Sequence, residues 1–423
     1  MKSVCILTFL VAYSSCCSHV VYAQEPSKTV WPQWRGPTRD GQVRSQKPWP
    51  TKLSQEFLKL KWQVKLRPSY SSPIVTADRI FVTETIKPGR EGVVALDRNT
   101  GKQLWKSTWI GGMAVPSYAK ANGDWIRSTP AYDGESLYVG GMRDLLVCFN
   151  TKNGNVRWKV DFKKQYRTPN PLFGMVSSPL VHKGSVYVQA AVGVVRVDKK
   201  NGKVIWRVLL DNPKEFGGAD ASPILANLAG QKQLVVLNRS VVAGLDLETG
   251  KVFWKQTVGA FRNTTIVTPL KLKDDAIFVS MFANPSVRVD VEREKGAYRV
   301  RRAWTNTRDG YMSSPLRIRD HIYLFTARKG LLCLNAKTGK TVWVSDRRFG
   351  DYWSMVANND QILALDEEGF LFLIQADPKS FRLLDQRRIS RGGTWAHVAV
   401  CDDEIYVRGL DSLSVYRWRN PNE

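Results

Sequence analysis

Histidine and cysteine are both scarce in this chain. Of four histidines, His19 lies near the N-terminus and His182, His321 and His397 are far apart, so neither a zinc-ligand spacing nor a histidine-based triad can be read. Six cysteines are present, but Cys5, Cys16 and Cys17 fall in a leader expected to be removed. That leaves Cys148, Cys333 and Cys401, an odd set without close spacing, which argues against a disulfide framework, a zinc site or a haem attachment motif. Long apolar runs are missing too: no segment approaches the ~20 apolar residues of a membrane-spanning helix, and no transmembrane segment is expected. Acid is in deficit, with 38 Asp plus Glu against 63 Lys plus Arg and a net charge of +25. Such an excess attracts polyanions and raises their encounter rate.

The leader has Lys2, an apolar stretch over 4–12, and Val21-Tyr22-Ala23 before Gln24, which reads as a secretory signal peptide over 1–23. Its apolar run is too short for an anchor and is diluted by Ser14, Ser15, Cys16 and Cys17. Acylation of Cys16 or Cys17 in a lipoprotein is the alternative, and Tyr13 fits that signal poorly. The protein is therefore expected to be exported, periplasmic or extracellular (secreted), and monomeric. Export makes nucleic acid an unsuitable physiological partner and leaves an envelope protein, anionic polysaccharide or lipopolysaccharide. The opposing reading of the charge is that Lys and Arg simply solvate an outer surface.

What is abundant is tryptophan, 15 residues, and about half of it falls to a single structural role through its spacing. Copies of Thr/Asn-Gly-x-x-x-Trp end at Trp105, Trp158, Trp206, Trp254 and Trp343, with Gly101, Gly154, Gly202, Gly250 and Gly339 in the turn. Ahead of each lies a short apolar run closing in Asp or Asn, such as Val93-Val94-Ala95-Leu96-Asp97 or Leu331-Leu332-Cys333-Leu334-Asn335. A strand ending in Asp or Asn, then a polar pair, a Gly and another strand is hairpin chemistry: the side-chain oxygen takes nearby N–H groups and Gly takes positive φ. Further upstream, Ser72-Pro73, Thr129-Pro130, Ser178-Pro179, Ser222-Pro223, Thr268-Pro269 and Ser314-Pro315 open two more strands per unit. Proline at the start of a strand marks a sheet edge, which makes this the innermost strand.

Eight such units start near 71, 128, 177, 221, 267, 313, 353 and 395. The last has three strands, and Lys59-Leu60-Lys61-Trp62-Gln63-Val64 supplies a fourth from the N-terminal side. The expectation is an all-β, eight-bladed β-propeller of four-stranded antiparallel blades over 58–418, its last blade closed by an N-terminal strand. An arm over 24–57 precedes it and a tail over 419–423 follows. Unit five keeps Trp304 but has a longer charged hairpin over 291–300, and unit seven lacks the Trp, with Leu383 and Leu384 as substitutes. Cys148 and Cys333 occupy one place in units two and six, across the ring from each other, so free buried thiols are expected.

The units resemble the tryptophan-docking repeats of the pyrroloquinoline-quinone-like family, patterned Ala-x-Asp-x-x-Thr-Gly-x-x-x-Trp; residues 95–105 and 244–254 follow it, with Gly244 in place of Ala. The resemblance implies that Trp62, Trp105, Trp158, Trp206, Trp254, Trp304 and Trp343 each pack on the neighbouring blade. The opening Trp31-Pro32-Gln33-Trp34-Arg35-Gly36-Pro37 with Gly41 looks like the leader of exported bacterial propellers with these repeats, and an ordered arm on the propeller's rim is expected.

The resemblance also frames the function. Quinone-dependent dehydrogenases of this type hold pyrroloquinoline quinone (PQQ) with calcium beside a catalytic carboxylate, and their alcohol-oxidising members add a disulfide of adjacent cysteines. The mature sequence has no adjacent cysteine pair and no Cys-x-x-Cys-His, which leans away from an enzyme, so no catalytic residue, metal ligand or cofactor is assigned. The favoured expectation is a non-catalytic scaffold resembling in architecture the propeller lipoprotein of the outer-membrane assembly machine. A PQQ-dependent alcohol or sugar dehydrogenase stands as the alternative. The connections between successive blades gather on one face. They carry Tyr70, Trp125, Arg127, Arg167, Phe173, Asp220, Arg262, Asn263, Asn306, Arg308, Asp309, Tyr311, Tyr352, Trp353, Arg391 and Trp395, with His397 able to reach the central channel. Arginine beside aromatic rings suits acidic groups and flat sugar or peptide surfaces. For each of these residues plain loop packing is the competing reading.

Overall fold

The computed structural model describes residues 29–44, 47–87, 89–212, 217–326, 328 and 330–419. The expected signal peptide over 1–23, with Cys16 and Cys17, and the last four residues of the tail lie outside them. Among the described residues thirty-two strands form eight separate antiparallel sheets of four, arranged as a ring. Blade 1 runs Ile74–Val75, Arg79–Lys87, Arg90–Asp97 and Gln103–Ile110 from the axis outward. The innermost strands of the first six blades begin one residue after the Ser-Pro or Thr-Pro dipeptides, at Ile74, Ala131, Leu180, Ile224, Leu270 and Leu316. The hydroxyls before those prolines stitch adjacent blades around the axis: Ser72 N donates to Thr129 Oγ1, Thr129 N to Ser178 Oγ and Ser178 N to Ser222 Oγ, each at 3.0 Å.

The turn chemistry is as expected. Asp97 Oδ1 accepts from the N–H of Asn99 and of Thr100 and from the Thr100 hydroxyl, and Gly101 has φ 74°. The glycine has a second purpose, because a Cβ there would lie 2.8 Å from Trp62 Cε3. The same shelf recurs under Trp105 at Gly154, under Trp158 at Gly202, under Trp206 at Gly250 and under Trp304 at Gly339. Five indoles also donate to a backbone carbonyl of the next blade: Trp62 to Arg98, Trp105 to Thr151, Trp158 to Lys199, Trp304 to Ala336 and Trp343 to Asp377. Every blade has a register shift between its outer two strands beside this position, an extra residue that re-aims the side chain toward the neighbour.

Two blades depart from the pattern. Blade 5 extends its outer hairpin to Lys295 and Gly296, so Trp254 of blade 4 finds no turn glycine on the next blade; it lies over Gly244 of its own sheet and donates to Gln233 Oε1 of its own blade at 2.6 Å. In blade 7 the register puts Asp385, rather than Leu383 or Leu384, at the tryptophan position. That carboxylate accepts from Leu53 N at 2.7 Å, and Trp49 of the arm stacks on Trp418 across the same seam. The arm thus fills the space a docking tryptophan would take.

Leu58–Lys65 pairs with Ser412–Trp418, so the eighth sheet is closed by the N-terminal strand. Buried Glu404 fastens this junction by accepting from Lys61 (2.8 Å), Arg417 (2.7 Å), Tyr406 (2.5 Å) and Arg98 of blade 1 (3.1 Å). Cys148, Cys333 and Cys401 are free and buried.

The opening of the arm, residues 31–43, does not lie on the rim. Eight inner edge strands leave carbonyls and N–H groups facing the axis, and an edge buried without partners is costly. Residues 31–43 satisfy part of that edge from inside the channel. Trp31 bridges Val75 of blade 1, Pro32 O accepts from Tyr132 N of blade 2, and Val43 N and Gly41 O pair with Ala357 of blade 7. Arg39 donates to Pro179 O (2.8 Å) and Ser178 O (3.0 Å), and Arg35 to Pro315 O (2.5 Å). Both guanidinium groups are buried, which lowers their pKa to about 9 and about 10 respectively and leaves them charged at neutral pH.

Candidate functional site

The connections between blades collect on one face, and the arm, entering from the other, comes up beneath them. Where they meet, the channel ends in a cavity of about 120 Å³ lined by Trp34, Tyr70, Arg127, Asp220, Tyr352 and Trp395 among others. Trp34 is its floor, held by an indole N–H donated to Thr268 Oγ1 at 2.9 Å and by edge contact with the His397 ring at 5.1 Å. The wall is a chain of stacked groups. Arg127 lies over the Tyr70 ring at 5.1 Å, Tyr70 is 5.7 Å from Trp395, and Trp395 stacks on Tyr352 at 5.2 Å and 12°. Tyr70 N donates to Ile126 O, which locks the connection into blade 1 against the connection into blade 2.

The electrostatics of this mouth follow from desolvation. Burial raises the Asp220 carboxyl to about 7, against the pull of Arg127 and Arg239. Burial lowers the Arg127 pKa, and it raises that of Tyr70 although Arg127 and a hydrogen bond with Trp125 oppose it. Arg127 donates one Nη to Gly123 O at 3.0 Å, while its buried Nε has no acceptor among the described residues. Chemically the mouth offers flat aromatic faces, one positioned cation and one acid near neutrality. Its geometry suits a side chain or small group with a planar or anionic part.

Of the residues singled out in the sequence, Tyr70, Trp125, Arg127, Asp220, Tyr352 and Trp395 come together here. Arg167, Arg262 and Arg391 stay exposed on the same face without lining the cavity. Arg262 sits over Phe261 at 5.4 Å, next to Asn263, and Tyr311 packs on Phe282 at 5.5 Å. Arg308 accepts through its carbonyl from Ser286, and Asp309 caps Ala283 N at 3.2 Å, which is the loop-packing reading. Phe173 packs edge-on against Tyr118, and Asn306 is an inter-blade strut to Gly339 O and Thr341 Oγ1. Trp353 must be corrected: it is 0% exposed, sandwiched between Phe325 at 4.7 Å and Phe372 at 5.1 Å, and belongs to the seam of blades 6 and 7. His397 reaches the channel but lies under Trp34; burial takes its pKa down to about 3, so the ring is neutral.

Sequence reasoning missed Trp34 as the floor, and with it Arg35 and Arg39 as the channel filling. The signal was there in Trp-Pro-x-Trp-Arg-Gly-Pro, but nothing local says that a tail enters a channel.

Among the described residues no helix is long and apolar enough to cross a membrane, and no group of three or more His, Cys, Asp or Glu could hold a metal. The family model described as outer membrane protein assembly factor BamB matches residues 89–345. The outer membrane protein assembly factor BamB of Yersinia pestis is 21% identical over 336 residues, covering 77% of this chain and 80% of its own length. Among solved structures, BamB from Moraxella catarrhalis superposes with TM-score 0.61 at 13% identity, covering 86% of this chain and 98% of that one. A europium-containing methanol dehydrogenase gives 0.51 at 14% identity, covering 91% and 98%. At these identities the structural likenesses speak for the propeller fold.

Proposed function

The chain belongs to the outer membrane protein assembly factor BamB family, and from that membership we propose that it is an exported, non-catalytic scaffold that seats a protein partner of the outer-membrane assembly process on its loop-rich face. The observation that carries this reading is the plugged channel. Trp34, Arg35 and Arg39 occupy the axis, so the face bearing Tyr70, Arg127, Tyr352 and Trp395 is a shallow docking surface. Stacked aromatics with a desolvated arginine are the composition of interface anchors. The basic surface adds steering toward an acidic partner.

The dehydrogenase alternative has one observation in its favour, the acid Asp220 near neutrality beside Arg127 in an aromatic mouth. The residues do not fit a calcium-held quinone. The mouth of about 120 Å³ is below the ~300–1,000 Å³ of pockets that bury drug-sized ligands, its floor is the chain's own Trp34, and Asp220 is the one carboxylate lining it.

A photo-crosslinking residue at position 395 tests the scaffold in its own cell envelope. Capture of an outer-membrane assembly protein, lost on Arg127→Ala with the ring still folded, supports it. Capture of anionic polysaccharide instead, or a shift of PQQ absorbance on adding quinone and calcium to the purified protein, defeats it.

A further inference from the structure

Beside the channel mouth a second cavity of about 210 Å³ opens between blades 3 and 4. Three of its lining side chains keep a buried acceptor oxygen that has no donor among the described residues: Asp144 Oδ1, Asn170 Oδ1 and Gln189 Oε1. The surroundings fix two of them. Gln189 Nε2 donates to Ala221 O (2.5 Å) and Leu237 O (3.1 Å), so its amide cannot turn and Oε1 stays an acceptor. Asp144 is 2% exposed, has φ 61°, and uses Oδ2 to accept from Ala191 N of the next blade at 2.8 Å, which leaves Oδ1 for something else.

Charge around the cavity is specific as well. Asp211 on the wall is ion-paired with Arg239 at 2.8 Å, and Asp220 is shared with the channel mouth. Near Asp144 stand Asp161 and Arg207; the latter is committed to Ala191 O at 2.8 Å and to the Tyr166 ring at 4.5 Å. Asp144 itself makes no ion pair among the described residues, and burial holds its carboxyl at about 7. Buried acceptors are normally satisfied, so three lacking donors in one cavity describe the complement of a ligand.

We propose that this cavity binds a primary ammonium group, whose three N–H donors go to Asp144 Oδ1, Asn170 Oδ1 and Gln189 Oε1. An ammonium has three donors and no acceptor, which matches the three acceptors, and the Asp144 carboxylate supplies its counter-charge. Two sources share this chemistry, a free small amine and a lysine side chain of a protein lying on the same face. The site adjoins the docking surface above and shares Asp220 with it, but the three acceptors and the readout differ from those of the crosslinking experiment.

Calorimetric titration of the mature protein with n-butylammonium, Nα-acetyl-lysine methylamide, n-butanol and calcium chloride tests it. Both ammonium probes are expected to bind one per chain, with n-butanol at least tenfold weaker. Tighter binding of the blocked lysine points to a protein side chain, and tighter binding of butylammonium to a free amine. Asp144→Asn is expected to weaken both at least tenfold, because its Oδ1 can still cap Ala191 N while a donor NH₂ replaces the free acceptor; asparagine also tolerates the left-handed backbone. Asn170→Leu is the second variant and should weaken binding in the same direction. Equal affinity for n-butanol, preference for calcium, no binding of either ammonium, or unchanged affinity in a folded variant would overturn the proposal.

Discussion

Trp254 and Trp105 do the same packing job with different partners, and the difference is testable. Trp105 donates to Thr151 O and covers Gly154 of the next blade, so Trp105→Ala should cost about 3–5 kcal/mol in a urea titration. Trp254 instead satisfies buried Gln233 Oε1, so Trp254→Phe keeps most of the apolar area but strands an acceptor, at about 1–3 kcal/mol. His397 sets a pH response. Its pKa falls from 6.5 to about 3 on folding, so the unfolded chain takes up the proton first. The His397 contribution is complete above pH 6.5 and declines as pH drops toward 3. Thermal melts of His397→Gln should therefore show a flatter loss of stability over that window than the parent. Five of the docking tryptophans, Trp105, Trp158, Trp206, Trp254 and Trp343, were legible from the sequence because each sits four residues after the glycine of its own turn. Trp353 was misread because a tryptophan opening a strand looks the same whether it faces the axis or the seam between two blades.

At the level of elements, ring closure depends on one carboxylate. Glu404 joins the N-terminal strand through Lys61, blade 1 through Arg98 and its own sheet through Arg417 and Tyr406. Glu404→Gln leaves buried Arg98 short of its counter-charge and should destabilise by about 3–5 kcal/mol. Because hydrogen bonds from Lys61, Tyr406 and Arg417 overcome the burial penalty and hold its pKa at about 2, the contribution is present above the ordinary value near 4.5 and disappears as pH falls through 2. Equilibrium unfolding at pH 7 and pH 3 checks both statements. The arm is a second such element. Removing residues 24–43 should leave the Leu58–Lys65 pairing intact while exposing the amides of Val75 and Ala357, now bonded to Trp31 O and Gly41 O. Faster hydrogen exchange confined to those inner strands is the expected result; protection unchanged there would mean the arm is dispensable to the channel wall. The strands were readable from alternation and turn residues, whereas the arm's position was not, because its partners are scattered over blades 1, 2, 3, 5, 6, 7 and 8.

For the whole molecule, a charge of +25 should make association with an acidic partner faster at low ionic strength than at high, measured as the on-rate across a salt series, while the off-rate, set by contacts at the mouth, changes little. A salt-independent on-rate would mean the basic residues serve only to solvate the outer strands. The sequence by itself determined the eight blades, the hairpin turns, the docking tryptophans and the closing strand, since each is written within a few tens of residues and repeated. Only the tertiary structure decided that the arm fills the axis, that Asp385 and Trp49 replace a missing tryptophan, and that Asp144, Asn170 and Gln189 meet in one cavity. Those contacts join residues from different repeats, and a periodic pattern holds no information about which non-periodic side chains the closed ring will bring face to face.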